Sequence, residues 1–160
     1  MFREMRRAKQ ALSQEECIDI LKRGSSGVLA VAGDGGYPYA VPLSYVYQQN
    51  KLYFHCAKSG HKLEAIAREP RVSFCVVDMD EVKPAEFTTH YRSVIVFGRA
   101  RVLTAEADKR PGFEALAYKY SPNEDEERPR LVERQINNVC IIELTPEHIS
   151  GKQASELMKD

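Results

Sequence analysis

Three β-forming segments follow one another through turns too short to hold a helix, and this succession constrains the fold most. They cover residues 27–32, 37–47 and 52–56. The first turn, 33–36, contains three glycines, which accept the positive φ angles of tight hairpins, and the second turn, 48–51, is polar. Strands joined in this way pair antiparallel, so the sequence predicts a β-meander.

Three more apolar segments extend this pattern, at residues 72–77, 91–103 and 139–144, and the residues between the first two, 78–89, are expected to form a loop. The long alternation of strands and helices that produces a parallel sheet is absent. Closure of an antiparallel sheet removes its exposed edges. We therefore expect a mainly β (α+β) domain: a closed antiparallel six-stranded barrel with peripheral helices.

Helices are predicted at the periphery of this sheet. Ser13 and Glu16 form a capping box, which opens a helix that Gly24 ends. Further helices are expected at residues 61–68 and, interrupted by Pro111 and Gly112, at 105–120. The charged segment 122–130 is expected to be solvated. The chain is predicted to be a single domain, 1–160, with an N-terminal arm, 1–12, and a C-terminal tail, 145–160, that holds a short helix after residue 151.

Charge and hydropathy exclude several partners. The 23 basic and 23 acidic side chains balance, so no overall field attracts nucleic acid or an anionic membrane. The basic start, residues 1–9, lacks the apolar region of a signal peptide, and no apolar run approaches the ~20 residues of a membrane span. A cytoplasmic protein is expected. In that compartment its four cysteines, Cys17, Cys56, Cys75 and Cys140, are predicted to be buried free thiols.

The segment 53–62, Tyr-Phe-His-Cys-Ala-Lys-Ser-Gly-His-Lys, carries the strongest chemical signal. It places two histidines and two lysines where a strand passes into a helix. A helix start exposes unpaired N–H groups and the positive end of the helix dipole, so it binds anions and disfavours isolated basic residues. His61 and Lys62 at this position favour a phosphate site. The alternative is a solvated helix start whose basic residues face water.

Other groups of polar residues give weaker evidence for a functional site. His55, Cys56 and His61 lack a fourth ligand and regular spacing, so no metal site is expected. A solvated loop is the simplest interpretation of the acidic residues Asp78, Asp80, Glu81 and Glu86. Surface or packing roles are expected for His90 and His148. The glycine-rich turn lacks the Gly-Lys-Ser/Thr of a phosphate loop, and no Gly-x-Gly-x-x-Gly follows a strand.

Taken together, these motifs resemble the pyridoxamine 5′-phosphate oxidase-like FMN-binding split barrels, and among them the nitroimidazole-resistance (Nim) proteins. The resemblance extends over most of the chain. The matching segments are residues 1–7, 36–44, 52–57 with 60–62, 91–98, and 147–152.

The resemblance implies a split β-barrel that forms a homodimer, with FMN held at the subunit interface. Lys62, preceded by His61, matches the basic pair at the FMN phosphate. Leu43 and Ser44 match the strand beside the isoalloxazine ring. The remaining implied cofactor contacts are His55, Cys56, Ala57 and Ser93.

The resemblance also guides the expected reaction. The oxidases carry a C-terminal segment rich in Trp and Arg that binds the substrate phosphate, whereas this sequence contains no Trp, so a different small-molecule substrate is expected. The first hypothesis is an FMN-dependent oxidoreductase acting on small aromatic or nitroaromatic compounds, with His61 as the catalytic proton donor because histidine is the residue type that ordinarily gains and loses a proton near neutral pH. The alternatives are a non-catalytic flavin- or haem-binding protein, a structural barrel with an empty cleft, and an oxidase-related enzyme with another substrate.

Overall fold

The computed structural model describes residues 1–158, and its centre is one antiparallel sheet of seven strands. The strands lie in the order β2-β1-β5-β6-β7-β4-β3, and every neighbouring pair is antiparallel. The prediction of a mainly antiparallel β domain is confirmed. The strand bounds are β1 (Ser26–Ala32), β2 (Pro38–Ser44), β3 (Val46–Gln48), β4 (Lys51–Cys56), β5 (Arg71–Lys83), β6 (Thr88–Leu103) and β7 (Cys140–Gln153).

The closed six-stranded barrel is not confirmed, because the segment predicted as one strand, 37–47, breaks at Tyr45. Tyr45 is fully buried, and its backbone N–H and C=O bond to the Tyr120 hydroxyl at 2.9 and 2.7 Å instead of joining a ladder. β2 and β3 therefore lie at opposite ends of the strand order although they are consecutive in sequence. Within residues 1–158, no ladder joins these two strands, so the sheet has seven strands and is not closed.

The predicted loop at residues 78–89 is instead a two-stranded extension of β5 and β6. The ladder continues from Met79 opposite Arg92 to Lys83 opposite Thr88, and Pro84–Glu86 form the turn. A bulge between Val77 and Met79 shifts the register at the start of the extension. The bulge and the many charged residues interrupt the alternation by which a strand is recognised.

Four α-helices surround the sheet: α1 (Gln14–Arg23), α2 (His61–Arg68), α3 (Glu106–Tyr120) and α4 (Glu127–Gln135). α3 runs through Pro111 without the predicted interruption. α4 begins inside the segment that was expected to be solvated. It buries Val132, and the adjoining Ile136 joins Val132 in a cluster with residues of α3 and β7. The high charge of α4 hides this narrow apolar stripe in the sequence.

The chain ends pack on the sheet. In the predicted arm, Leu12 is buried and its N–H bonds to the Gly151 carbonyl at 2.9 Å, while the Phe2 ring stacks on His148 at 4.7 Å. In the predicted tail, β7 continues to Gln153 and a single turn covers Ser155–Leu157, so most of this segment is sheet. Residues 159 and 160 of the tail lie outside the described residues. No helix among residues 1–158 has the length and apolar character needed to cross a membrane.

The two faces of the sheet differ in character. The inner face builds the main core with α1 and α2, around fully buried side chains such as Leu29, Phe54 and Phe74. The opposite face of β2, β1, β5, β6 and β7, called the outer face below, has two adjacent rows without a charged residue. By register these rows are Pro42, Val28, Cys75, Ile95, Ser150 and Ala40, Ala30, Ser73, Phe97, His148.

Candidate functional site

The start of α2 has no side-chain cap. Gly60 precedes the helix with φ 143° and ψ 167°, a backbone conformation that is essentially restricted to glycine, and no side chain caps the helix. The Gly60 carbonyl accepts hydrogen bonds from Leu63 and Glu64 N–H at 3.1 and 3.2 Å. The N–H groups of His61 and Lys62, at the first two helical positions, have no acceptor within the helix. The phosphate site predicted from the sequence therefore has suitable backbone geometry.

The end of β4 lies beside this helix start. Burial raises the pKa of the Cys56 thiol to about 11, and the charge of nearby Lys62 opposes that rise. The Cys56 thiol donates to the Cys140 carbonyl at a sulfur–oxygen distance of 3.7 Å, while His55 and Ala57 on either side are exposed. A thiol with this pKa is protonated at neutral pH, so Cys56 can contact a ligand but is not a ready nucleophile.

Leu43 and Ser44 are the last two residues of β2, just before the break at Tyr45. The next residue in the chain, Tyr45, packs its ring on Phe74 at 5.0 Å, and Phe54, just before His55, packs on the same ring at 4.9 Å. β3 pairs with β4 from Val46 onward, whereas β2 turns away to pair with β1. β2 and β4 thus stay close without a ladder. The place where this ladder is missing, between Leu43 and Ser44 of β2 and the end of β4, is called the gap below.

His61 is held firmly at one ring edge. Its ring stacks on Tyr39 with centroids 4.3 Å apart. Its Nε2 atom is buried without a hydrogen-bond partner and lies 3.7 Å from Asp34 Oδ2. The other Asp34 oxygen accepts a 2.7 Å hydrogen bond from Arg68, at the last position of α2. The turn between β1 and β2 is therefore tied to both ends of α2.

Asp34, Tyr39 and Arg68 were not singled out from the sequence. One signal was available, since Arg68 follows His61 by seven residues and therefore shares its helix face. Nothing local indicates that the glycine-rich turn folds onto that face. The contact forms only when β1, β2 and α2 have assembled.

Ser93 stands apart from the other predicted contacts. On β6 it lies opposite Val77 of β5 and Lys152 of β7, while Arg99 lies opposite Arg71 near the other end of the β5–β6 ladder. The start of α2 lies near the end of the β5–β6 ladder that contains Arg71. This follows because Ala30 of β1 pairs with Ser73, and β1 then leads to Gly33, which lies beside His61. Within one chain, Ser93 is therefore not brought to the start of α2.

The remaining candidates have structural partners. The Arg23 guanidinium hydrogen-bonds Asp78 and holds the pKa of that carboxyl below its usual range, so Asp78 is not a proton donor. His90 lies 3.0 Å from Glu86, and His148 stacks on Phe2. Among residues 1–158, no group of three or more potential ligands is arranged to hold a metal ion. The four cysteines are free thiols, and all but Cys75 are buried.

The structure is a small antiparallel-sheet domain in which the uncapped start of α2 follows the end of β4. The sequence matches the family described as pyridoxamine 5′-phosphate oxidase over residues 13–153. The chain belongs to this family. Among curated proteins, no sequence match was found.

Solved structures extend the comparison. The fold is similar to a FAD-binding protein from Mesorhizobium loti (28% identity, 91% of this chain and 97% of that chain covered, TM-score 0.67). It also resembles a FAD- and haem-binding protein from Mycobacterium smegmatis (22%, 94% and 76%, 0.77). A third relative is a candidate 5-nitroimidazole antibiotic resistance protein from Bacteroides thetaiotaomicron (18%, 89% and 86%, 0.74). The last two identities establish the fold alone.

Proposed function

We propose that this protein is a flavoprotein that binds the phosphate of FMN at the start of α2. The observation that carries this proposal is the uncapped helix start at Gly60, followed by His61 and Lys62. The free N–H groups and the helix dipole favour an anion there, and Lys62 adds a charge-assisted contact. Because the similar proteins from M. loti and M. smegmatis are described as FAD-binding, FAD is the second candidate cofactor.

The isoalloxazine ring is proposed to lie along the gap between β2 and β4, in contact with Leu43, Ser44, His55, Cys56 and Ala57. A bound flavin supplies the redox chemistry. The chain's own contribution is to orient the ring and to exclude water with the apolar residues behind the gap. His61 is proposed as the proton donor because more than a third of its side chain is exposed next to the proposed phosphate position.

We further propose a homodimer that buries the outer face of the sheet. The two uncharged rows include Val28 and Phe97, each 40% exposed, and Val77 in the next row is 61% exposed. Exposed apolar side chains on one face of a sheet favour burial against a second copy. A partner subunit would also account for the position of Ser93, which could reach the flavin of the other chain across this interface.

The reaction proposed is the reduction of a small aromatic or nitroaromatic compound, with a reduced nicotinamide as electron donor and a cytoplasmic location. The fold shared with the candidate nitroimidazole resistance protein motivates the substrate class. Leu43, near the end of β2, packs partly buried against the main core, and an apolar side chain at this place suits a flat aromatic compound.

A non-catalytic flavin or haem carrier is the second candidate, because one similar structure is described as binding both FAD and haem. The Nε2 atom of His61 is buried against Asp34, so His61 could bind a haem iron only through Nδ1. His55 is exposed at the end of β4 and is the better candidate ligand. Reduction of the bound cofactor by a nicotinamide, followed by reoxidation by a nitroaromatic, would favour the enzyme. Failure with every donor would favour the carrier.

The direct experiment is to purify the protein, release its cofactor and identify it by mass spectrometry. FMN is the expected mass, FAD would replace it within the same proposal, and haem would support the carrier. A colourless protein that takes up neither flavin nor haem would exclude both functions. Size-exclusion chromatography with light scattering tests the dimer, and Phe97→Asp should convert it to a monomer by placing a charge in the uncharged rows.

A further inference from the structure

One edge of the His61 ring faces the turn between β1 and β2. Asp34 Oδ2 approaches Nε2 at 3.7 Å while Asp34 Oδ1 is bonded to Arg68 at 2.7 Å. A Cβ added to Gly33 would meet the His61 Cε1 atom at 3.4 Å and the Tyr39 Cβ at 2.9 Å. The turn therefore lies in van der Waals contact with the imidazole, and a side chain in place of Gly33 would collide with the Tyr37 carbonyl oxygen at 2.6 Å.

This arrangement makes the two ring nitrogens unequal. Nε2 is buried, although 36% of the side chain is exposed. Nδ1 is therefore the nitrogen that His61 can offer to a ligand. Stacking on Tyr39 fixes the plane of the ring. A buried ring nitrogen without a partner is unfavourable, and the only carboxylate beside it is that of Asp34 among the described residues.

We propose that Asp34 is a positioning residue for His61, held in place by Arg68. A movement of well under 1 Å brings Nε2–H into hydrogen-bond range of Asp34. That bond selects the neutral tautomer in which Nε2 carries the proton and Nδ1 is the free acceptor. The inference rests on the proposed flavin site, because Nδ1 then faces the phosphate and the gap.

The proton balance follows from this geometry. In the imidazolium form both ring nitrogens carry protons, and Asp34 stabilises the Nε2–H end. Transfer of the Nδ1 proton to a reduced substrate returns the ring to its neutral Nε2–H tautomer. The proton thus leaves from Nδ1 alone, and the hydrogen bond from Arg68 holds the Asp34 carboxylate beside Nε2. The alternative is that Asp34 only stabilises the turn through Arg68, in which case its negative charge would merely repel a nearby phosphate.

The tautomer can be measured in the cofactor-free protein by nitrogen-15 correlation spectroscopy of the histidine ring. Wild type is expected to hold neutral His61 as the Nε2–H tautomer. Asp34→Ala should lower the ratio of Nε2–H to Nδ1–H at least about five-fold, as expected for loss of a charge-assisted hydrogen bond. Asp34→Asn keeps an acceptor oxygen and should largely preserve the ratio. An Nδ1–H tautomer in wild type, or an unchanged ratio in Asp34→Ala, would overturn the proposal.

Flavin affinity gives an independent measure. If Asp34 positions His61, Asp34→Ala should weaken FMN binding about three- to ten-fold although a negative charge has been removed, whereas Asp34→Asn should bind FMN at least as tightly as wild type. If Asp34 acts by charge alone, both variants should bind FMN more tightly, which would contradict the proposal. Melting curves check that each variant folds. Should wild type bind no flavin, the proposed function fails, and the tautomer measurement still decides the role of Asp34.

Discussion

The starts of α1 and α2 are built in opposite ways. At α1, Ser13 Oγ accepts from the Glu16 N–H at 3.1 Å and Glu16 Oε2 accepts from the Ser13 N–H at 2.8 Å. At α2, Gly60 offers no side chain, and the first two helical residues are His61 and Lys62. The capping box meets the hydrogen-bonding requirement at the start of α1, whereas Gly60 provides no side-chain cap at the start of α2.

The acidic start of α1 and the basic start of α2 also affect two buried thiols differently. Burial raises the pKa of both Cys17 and Cys56 to about 11. Glu16 raises the pKa of Cys17 further, whereas Lys62 opposes the rise at Cys56. Under the proposed function, the start of α1 stabilises the fold and the start of α2 binds an anion, so variants at the two starts should affect different properties.

The largest expected effect is on flavin affinity at α2. Lys62→Ala should weaken FMN binding roughly 10- to 100-fold, since a charge-assisted hydrogen bond contributes about 1.5–3 kcal/mol. Lys22→Ala, which removes the same charge at the far end of α1, is the matched control and should leave the affinity within about two-fold. Titration of cofactor-free protein, followed by flavin fluorescence, measures both. Equal losses in the two variants would mean that only net charge matters.

Gly60→Ala should lower both stability and affinity. A side chain at φ 143° is strained although nothing lies within 4 Å of the added Cβ, and the expected loss of unfolding free energy is about 1–3 kcal/mol. Relaxation of that strain would reorient the first N–H groups of α2 and weaken FMN binding. Urea denaturation and the same fluorescence titration measure the two effects. A stable variant with normal affinity would show that this backbone conformation is not required.

Ser13→Ala tests the other helix start. Loss of the capping box should reduce the free energy of unfolding by about 1 kcal/mol and leave FMN affinity unchanged. Ser13→Asn, which can still cap the helix, is the control and should retain most of the stability. A loss of FMN affinity in Ser13→Ala would break the separation between the two helix starts.

The smallest expected effects concern how the free energy of unfolding changes at alkaline pH. Because the folded-state pKa of each thiol lies near 11, above its ordinary value of 9.0, protonation of the thiol stabilises the fold below pH 9, and this contribution is lost as pH rises from 9 through 11. The trend from Lys119 is opposite, since burial lowers its pKa to about 8. Cys56→Ala should therefore reduce the alkaline loss, as measured by urea unfolding at several pH values.

In the same unfolding measurements, removing the charge of Lys62 and removing the charge of Glu16 should have opposite effects on the pKa of the nearby thiol. Lys62→Ala should raise the pKa of Cys56, and Glu16→Gln should lower the pKa of Cys17, each by less than about one unit. The alkaline loss of unfolding free energy should become larger in the first variant and smaller in the second. Changes in the same direction would contradict the opposite charges assigned to the two starts.

Features that depend on residues close together in the sequence were predicted, whereas features that depend on residues far apart in the sequence were not. The capping box of α1 and the basic start of α2 depend on neighbouring residues and were predicted. The break at Tyr45 depends on Tyr120, which is 75 residues away, so the segment 37–47 resembled one strand. The β5–β6 extension was hidden by a bulge and by charged residues. The contact between Asp34 and His61 requires a turn and a helix that meet only in the assembled fold.

The most direct test of an anion-binding start at α2 is calorimetric titration of the cofactor-free protein with FMN and with riboflavin. The two ligands share the isoalloxazine ring and differ only in the phosphate. Because the phosphate contacts should contribute more than about 1.4 kcal/mol, FMN is predicted to bind at least about ten-fold more tightly than riboflavin, and this preference should vanish in Lys62→Ala. Equal affinities of the wild-type protein for FMN and riboflavin would contradict a phosphate site at Gly60, His61 and Lys62.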